Sequence, residues 1–392
     1  MTEPSPNQVI EDFRAWAAQN RVFIHPSLKF VPSSSGHNIC SNSGIPPDTK
    51  ILSCPFDVAI TAPQSRAAIE YLFQDKAVNV PAVLEGWNER QLVCMYIALH
   101  FIWTKAKGSP LPQSCRHQPY LNMLPPPSKL LTPLYFNQDE LGMLEGSNLH
   151  PATLRRLQEW QTEWEQCLEA LRLVDVELAP LFTWERYLAA ATYLSSRAFP
   201  STLLSSSPTN ASPESSHPVL LPGIDSLNHR RAAPVSWIST TSENCNTLDL
   251  VLHDPIPAGA ECFNNYGPKP NAELILGYGF ALPHNPDDTI LLSLAASNSA
   301  ETSMVEIGRG AKNAERLWEL VMSKVAIIFD QDPSAEDEAG QTWQIELETA
   351  ETIIDLTEKR FQRLPEMKLG VEGVRQEVVE MVEYYLEGGC II

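Results

Sequence analysis

The spacing of apolar residues changes along the chain and marks out predicted regions. Residues 1–64 contain short β-type runs between turn clusters, after a helix predicted over Pro6 to Ala18. From residue 65 to about 180, apolar positions recur every three or four residues, as in NERQLVCMYIALHFIWTKA and ATLRRLQEWQTEWEQCLEALRLV, which predicts helices. A Pro-rich connector, PYLNMLPPPSKLLTPLYF, separates these two helical runs.

The β-type pattern returns in residues 181–285, after a helix predicted over FTWERYLAAATYLSSRAF with Thr183 as its N-cap. Short runs there include HPVLLPGIDSLNH, APVSWIST and TLDLVLHDPIPAGAECFNNYG. Between them, residues 200–217 (PSTLLSSSPTNASPESSH) are so rich in Ser, Pro and Asn that we predict a disordered surface insertion.

Residues 286–392 give one strand-like run, TILLSL, and then amphipathic helices around AERLWELVMSKVAIIF, QIELETAETIIDLTEKRFQRL and VRQEVVEMVEYYL. The acidic stretch 330–338 is predicted to be a solvated loop. This order of elements favours an α+β fold over a doubly wound sheet or a helical bundle. No GxGxxG turn joins a strand to a helix, so a Rossmann-type cofactor site has no visible anchor.

The composition of the chain indicates in which part of the cell the protein is expected. With 43% hydrophobic and 19% charged residues, the chain is typical of a globular protein with a large core. The opening MTEPSPNQVIEDF is acidic where an export signal would be basic, and the longest apolar stretch, Val93 to Trp103, is too short to span a bilayer. We therefore expect a protein of the cytoplasm, the nucleus or both, without membrane attachment.

The net charge and the spacing of the cysteines indicate which binding partners and metal sites to expect. A net charge of −20 would repel phosphates, so we expect no direct contact with nucleic acid and favour a basic protein partner. The eight cysteines form no CxxC pair and no Cys/His cluster, which argues against a metal site and against a disulfide framework. We also expect a monomer.

Three short segments of the second half carry the candidate chemistry: SSRAF at 195–199, LLPGIDSLNHR at 220–230 and FNNYGPKPNAELILGYGF at 263–280. The second contains Asp225, Asn228 and His229 in a DxxNH spacing, and the third begins near Tyr266 and continues into NAEL and YGF. Together they resemble the SET domain, in the class typified by Rubisco large-subunit lysine methyltransferase. A DxxNH pattern alone would be a weak signal, and the ordered pair of segments makes it a strong one.

The resemblance implies an S-adenosyl-L-methionine-dependent protein-lysine N-methyltransferase. It implies a SET β-fold of short strands in residues 1–64 and 181–285, a helical insert in 65–180, and an all-helical, substrate-binding-like lobe in 286–392. The residues that it assigns to the cofactor are Gly36, His37, Arg197, Asp225, Asn228, His229, Tyr266 and Phe280. Those that it assigns to a substrate channel are Ser196, Phe199 and Tyr278, and Tyr266 is also its catalytic residue.

The reaction itself explains these residue types. Methyl transfer from a sulfonium to an amine is an in-line displacement, so its rate depends on positioning. A lysine amine, with an ordinary pKa of about 10.4, must first lose its proton, which an apolar channel favours. Aromatic side chains such as Phe199, Tyr266 and Tyr278 suit such a channel, because they accept an ammonium by cation–π contact and the phenols then orient the neutral amine.

Alternatives remain open. Because Cys-rich zinc flanks are absent, the expected substrate is a non-histone protein, and a related activity of the same fold would methylate histidine instead. The class usually reads GxG in its first cofactor loop, whereas here Gly36 is followed by His37 and then by Asn38. A degenerate SET fold that binds a protein without catalysis would explain that change. A helical scaffold is a third reading, but it leaves Tyr266 and NAEL as coincidence.

Overall fold

The computed structural model describes residues 5–33, 36–205, 207–209, 215–241, 245–295, 302–329, 338–364 and 373–391. Within these ranges, no helix combines the length and the apolar character needed to cross a membrane. The chain divides into two compact units, residues 1–130 with 158–267 and residues 131–157 with 268–392.

The strands and helices have the following bounds. The strands are β1 Phe23–Ile24, β2 Leu28–Ser33, β3 Gly36–Ser41, β4 Thr49–Pro55, β5 Phe199–Pro200, β6 Pro218–Val219, β7 Asn228–His229, β8 Val235–Thr240, β9 Thr247–Leu252, β10 Phe263–Asn264, β11 Thr289–Ala295 and β12 Thr302–Gly308. The helices are α1 Pro6–Gln19, α2 Ala62–Leu72, α3 Val80–Val83, α4 Glu89–Lys107, α5 Gln118–Leu121, α6 Gln138–Gly142, α7 Leu149–Val174, α8 Trp184–Arg197, α9 Asn271–Tyr278, α10 Ala314–Phe329, α11 Glu338–Gln362 and α12 Gln376–Ile391.

A four-stranded antiparallel sheet forms the β core of the first unit, in the order β1-β4-β9-β8. Its central strands β4 and β9 are almost wholly buried, and Ile51, Cys54 and Leu248 have no exposed surface. Because both faces of these strands are covered, polar side chains are enclosed there as well, and the buried Ser53 hydroxyl donates to the Asp249 carboxylate across 2.5 Å.

Two packed helices of the first unit, α4 and α8, position candidate site residues. α4 begins with a capping box, in which Asn88 and Gln91 each accept the other's backbone N–H. α8 packs against α4 and begins after Thr183, whose backbone is extended as in a cap but whose side chain makes no capping hydrogen bond. The last turn of α8 carries Ser196 and Arg197, so the helix delivers two candidate site residues at its C-terminal end.

A short parallel pair, β7 with β10, brings the DxxNH segment beside the segment that leads to the candidate catalytic tyrosine. In its register, Asn228 lies opposite Phe263. The chain entering β10 also pairs with β3, since the Cys262 N–H donates to the Ile39 carbonyl across 2.7 Å. Three stretches that are distant in sequence therefore meet at one place in the first unit.

The predicted insertion at 200–217 is closed at its base by β5 and β6. Phe199 lies opposite Val219, and the Ser201 N–H donates to the His217 carbonyl across 2.9 Å. Leu203 is 2% exposed, which anchors the first turn of the insertion. Residues 206 and 210–214 lie outside the described residues, so disorder of the insertion stays a prediction.

The second unit contains the predicted helices α10, α11 and α12 and one strand that the periodicity missed. The run TILLSL forms β11, but it pairs with β12, where buried Val305 and Ile307 alternate with exposed Met304. These buried side chains pack with Leu317 and Val321 of α10. The acidic stretch at 330–337 lies outside the described residues, and α11 begins directly after it.

Candidate active site

Tyr266 lies on the imidazole of His229. The two rings are stacked with centroids 4.9 Å apart and an interplanar angle of 25°. The Tyr266 N–H donates to Nδ1 of His229 across 3.0 Å, so a neutral His229 ring carries its proton on Nε2. At the other end of the side chain, the Tyr266 hydroxyl donates to the Leu227 carbonyl across 2.8 Å. Leu227 and His229 therefore hold Tyr266 by its hydroxyl and by its backbone N–H.

The Asn228 side chain lies between two acceptors. Its Nδ2 donates to Oε1 of Glu261 across 2.7 Å and to Oδ1 of Asn38 across 3.1 Å. Asn38 stands at the position where the class has a second glycine, so this side chain takes part in the site. Glu261 was not among the predicted residues, because its partner Asn228 lies 33 positions earlier in the chain and no local pattern links the two.

Asp225 is a buried carboxyl group, 5% exposed. Its Oδ2 accepts the Tyr120 hydroxyl across 2.5 Å, and its backbone carbonyl accepts from Arg197 across 2.9 Å. Burial raises the pKa of Asp225 to about 6, against the lowering effects of the Arg197 cation and of the Tyr120 hydrogen bond. Among the described residues, none hydrogen-bonds the second carboxyl oxygen, Oδ1.

Gly36 and His37 begin β3 and line a cavity of about 780 Å³. Gly36 has a φ of +131°, a backbone conformation that residues other than glycine rarely adopt. Burial lowers the pKa of His37, and the Arg197 and Lys129 cations lower it further. A hydrogen bond to the Met123 backbone raises this pKa but does not offset the lowering. This part of the site is therefore electropositive.

Ser196 and Phe199 lie at the end of α8 and just beyond it. The Ser196 hydroxyl donates to the Thr192 carbonyl across 2.7 Å, one turn back along the helix. Phe199 is 4% exposed and meets the Trp237 ring edge to face, with centroids 4.8 Å apart. Trp237 in turn donates from Nε1 to Oδ1 of Asn264 across 2.9 Å, so Phe199 is linked through it to β10.

Tyr278 and Phe280 belong to the second unit. Tyr278 ends α9, and Gly279 follows it with a φ of +79° as the C-cap. The Tyr278 and Phe280 rings meet at 6.1 Å, and the Lys269 Nζ lies 5.8 Å from the Tyr278 centroid. Burial raises the pKa of Tyr278 to about 12.

The first unit thus contains nine of the predicted site residues, which are Gly36, His37, Ser196, Arg197, Phe199, Asp225, Asn228, His229 and Tyr266. Direct contacts link Arg197 with Asp225 and His229 with Tyr266. Tyr120 was missed as a site residue, although the sequence segment that contains it, PYLNMLPP, is part of the Pro-rich connector.

No model of a known protein family matches the chain. Among curated proteins, ribosomal lysine N-methyltransferase set10 of Schizosaccharomyces pombe is 33% identical over 286 residues, covering 71% of this chain and 47% of that protein. Protein-lysine N-methyltransferase EFM1 of Saccharomyces cerevisiae is 24% identical over 316 residues, covering 71% of this chain and 51% of that protein. The chain therefore spans about half the length of these relatives.

Among solved structures, that of Rubisco LSMT bound to AdoMet superimposes with a TM-score of 0.71 at 17% identity. The superposition covers 99% of this chain and 90% of that one. At this identity the likeness shows the fold alone, and it confirms the fold class predicted from the sequence.

Proposed function

The chain belongs to the SET-domain family, in the class typified by Rubisco large-subunit lysine methyltransferase, and on that premise we propose that it is an S-adenosyl-L-methionine-dependent protein-lysine N-methyltransferase acting on a non-histone protein. The observation that carries the proposal is the Tyr266 phenol, which stacks on His229 and donates to the Leu227 carbonyl, the residues on either side of Asn228. The two motifs that were recognised separately in the sequence are in direct contact there.

The residues present fit the cofactor. S-adenosylmethionine carries a carboxylate, which suits the cationic side chain of Arg197, and it carries ammonium and hydroxyl donors. The buried Oδ1 of Asp225, which lacks a hydrogen-bond partner among the described residues, is an acceptor suited to such a donor. Gly36 and His37 line a cavity of about 780 Å³, which offers space for a ligand. The proposal adds His37, Asn228 and His229 to this set, and the cofactor role of Phe280 stays a prediction from the resemblance.

When bound, S-adenosylmethionine supplies a methyl group whose C–S bond breaks as the new C–N bond to the amine forms. The protein's own contribution is positioning and desolvation of the lysine. The Tyr266 hydroxyl donates a hydrogen bond to the Leu227 carbonyl, so the Tyr266 oxygen is left to accept a hydrogen bond from an incoming amine. In this proposal Phe199 and Ser196 line the channel that desolvates the ammonium and favours loss of its proton to water, and the channel role of Tyr278 stays a prediction from the resemblance.

The proposed substrate is a protein with a basic segment that contains the target lysine. A net charge of −20 favours such a partner and disfavours nucleic acid. We further propose that the protein acts as a monomer in the cytoplasm, the nucleus or both. A histidine acceptor is the second candidate activity, and a protein-binding module without catalysis is the third, favoured by Asn38 in the first cofactor loop.

Two measurements test the proposed function. Titration calorimetry with S-adenosylmethionine should show saturable binding by the purified chain, and labelled-methyl transfer into a cell extract, followed by mass spectrometry, should mark a lysine. A labelled histidine would move the assignment to the second candidate. Absence of saturable cofactor binding would remove the enzymatic assignment and leave the binding module.

A further inference from the structure

The side-chain amide of Asn228 joins three segments of the first unit. Asn38 lies in β3, Asn228 begins β7, and Glu261 lies just before β10, where its backbone pairs with Cys40. Both hydrogens of the Asn228 Nδ2 are donated, one to the Glu261 carboxylate and one to Asn38. The three polar side chains are half-buried, so water competes only in part for these bonds.

The chemistry of Glu261 selects one orientation of this amide. A side-chain amide can be turned about its last bond to exchange its oxygen and nitrogen, and only its hydrogen-bond partners decide between the two states. An ionised carboxylate accepts hydrogen bonds and donates none, so it pairs with Nδ2 and repels Oδ1. Asn228 therefore keeps Oδ1 as the atom that can meet a further group.

We propose that Glu261 is a positioning residue of the cofactor site, which acts through Asn228 by keeping Oδ1 as the acceptor for a hydrogen-bond donor of S-adenosylmethionine. This inference rests on the proposed function. Asn38 supports the same orientation as a second acceptor, in a loop where the class has glycine. The altered loop then contributes to the cofactor site, which argues against reading it as a sign of degeneracy.

A swap of donor and acceptor tests the inference by calorimetry with S-adenosylmethionine. Glu261→Met removes the acceptor at similar size and should weaken binding about tenfold, because Nδ2 loses a charge-assisted bond. Asn228→Asp places two carboxylates in contact and should weaken binding by at least about tenfold. The double variant Asn228→Asp/Glu261→Gln restores a hydrogen bond of reversed polarity with an acceptor still facing the cofactor, and should bind within about threefold of the unaltered chain.

Two further variants and a second readout separate positioning from folding. Asn38→Gly removes one of two acceptors and should cost about threefold in affinity. Glu85→Gln removes the same charge as a change at Glu261 from an exposed place outside the site, and should change affinity by less than about twofold. Melting temperatures are measured without cofactor, and the affinities should not follow them.

The outcomes are distinct. Unchanged affinity in Glu261→Met, no recovery in the double variant relative to Asn228→Asp, or affinities that only follow the melting temperatures would each overturn the positioning role while the proposed function stands. Should Glu261→Met fail to fold, the comparison of Asn228→Asp with the double variant decides alone. Absence of binding by the unaltered chain would overturn both proposals together.

Discussion

Tyr120 donates its hydroxyl to the buried carboxyl group of Asp225, a residue 105 positions further along the chain. Both side chains are almost completely buried, so the bond is shielded from water. Burial, and then the Asp225 charge, raise the pKa of Tyr120, which keeps the phenol protonated as a donor. The pair ties the Pro-rich connector to the DxxNH segment.

The first prediction concerns the cost of the Asp225 charge. Because its folded-state pKa is raised from 3.8 to about 6, the folded chain holds this proton more tightly than the unfolded chain does. Asp225 therefore stabilises the fold below about pH 3.8, and that contribution is lost as the pH rises through about 6. Asp225→Asn, which keeps an oxygen for Tyr120, should raise the free energy of unfolding at pH 8 by about 1–3 kcal/mol.

Denaturant unfolding at pH 8 and at pH 4 checks this prediction, with the gain of Asp225→Asn expected to shrink toward pH 4. The variant should at the same time bind S-adenosylmethionine more weakly than the unaltered chain, since it loses a charged acceptor. A lower stability at pH 8 would mean that the Arg197 cation outweighs the burial of the carboxylate.

The second prediction concerns Tyr266. Tyr266→Phe keeps the ring stack on His229 but removes the bond to the Leu227 carbonyl and the acceptor offered to the amine. We expect the variant to fold and to bind S-adenosylmethionine within about threefold, while turnover falls about a hundredfold, the scale on which loss of one positioned polar group acts. Turnover is measured as methyl transfer per enzyme at saturating cofactor. Unchanged turnover would exclude the phenol from the mechanism.

Local pattern explains which parts of this site could be found from the sequence. Tyr266 and Asn228 stand in short contiguous motifs, so their spacing is visible directly. Tyr120 and Glu261 act through partners far away in the chain, and no periodicity reports which remote side chains a fold brings into hydrogen-bond distance. Only the folded chain brings Tyr120 to Asp225 and Glu261 to Asn228.

Helices and strands, too, could be predicted from the sequence only where the apolar pattern is long enough. α8 and α10 have long apolar faces, which is why their periodicity was sufficient. β12 has only Val305 and Ile307 as buried apolar positions, with Gly308 at its end, so its alternation is too short to read. Its pairing with β11 depends on the tertiary structure.

The third prediction concerns two buried histidines, His100 and His117. Burial lowers the pKa of His100 to about 4, and burial followed by the His100 charge lowers that of His117 to about 3. Between pH 6.5 and about pH 4, the unfolded chain therefore binds more protons at these histidines than the folded chain does. The two histidines thus make the free energy of unfolding fall as the pH falls. His117→Gln should flatten that slope by up to about 1.4 kcal/mol per pH unit.

Since Asp225 acts in the opposite direction over part of this range, the slopes are compared in the Asp225→Asn background. Denaturant unfolding from pH 7 to pH 4.5 supplies them. An unchanged slope after His117→Gln would show that the imidazole accepts its proton in the folded chain as readily as in the unfolded one.

The fourth prediction uses two neighbouring glycines of α12. A Cβ on Gly388 would lie 2.6 Å from Cγ of Asp288, whereas a Cβ on Gly389 would have its nearest neighbour, in Ile290, at 4.0 Å. Asp288 accepts from the backbone and the side chain of Asn271, the first residue of α9, so it cannot move without releasing that helix end.

Gly388→Ala should therefore lower the free energy of unfolding by about 2–4 kcal/mol, the range of an overpacked core that also breaks a buried polar cluster. Gly389→Ala is the matched control, and should instead raise it by up to about 1 kcal/mol, because alanine is the better helix former. Denaturant unfolding of the two variants side by side gives the comparison. Equal effects would mean that α12 does not pack on Asp288 closely enough to exclude a methyl group.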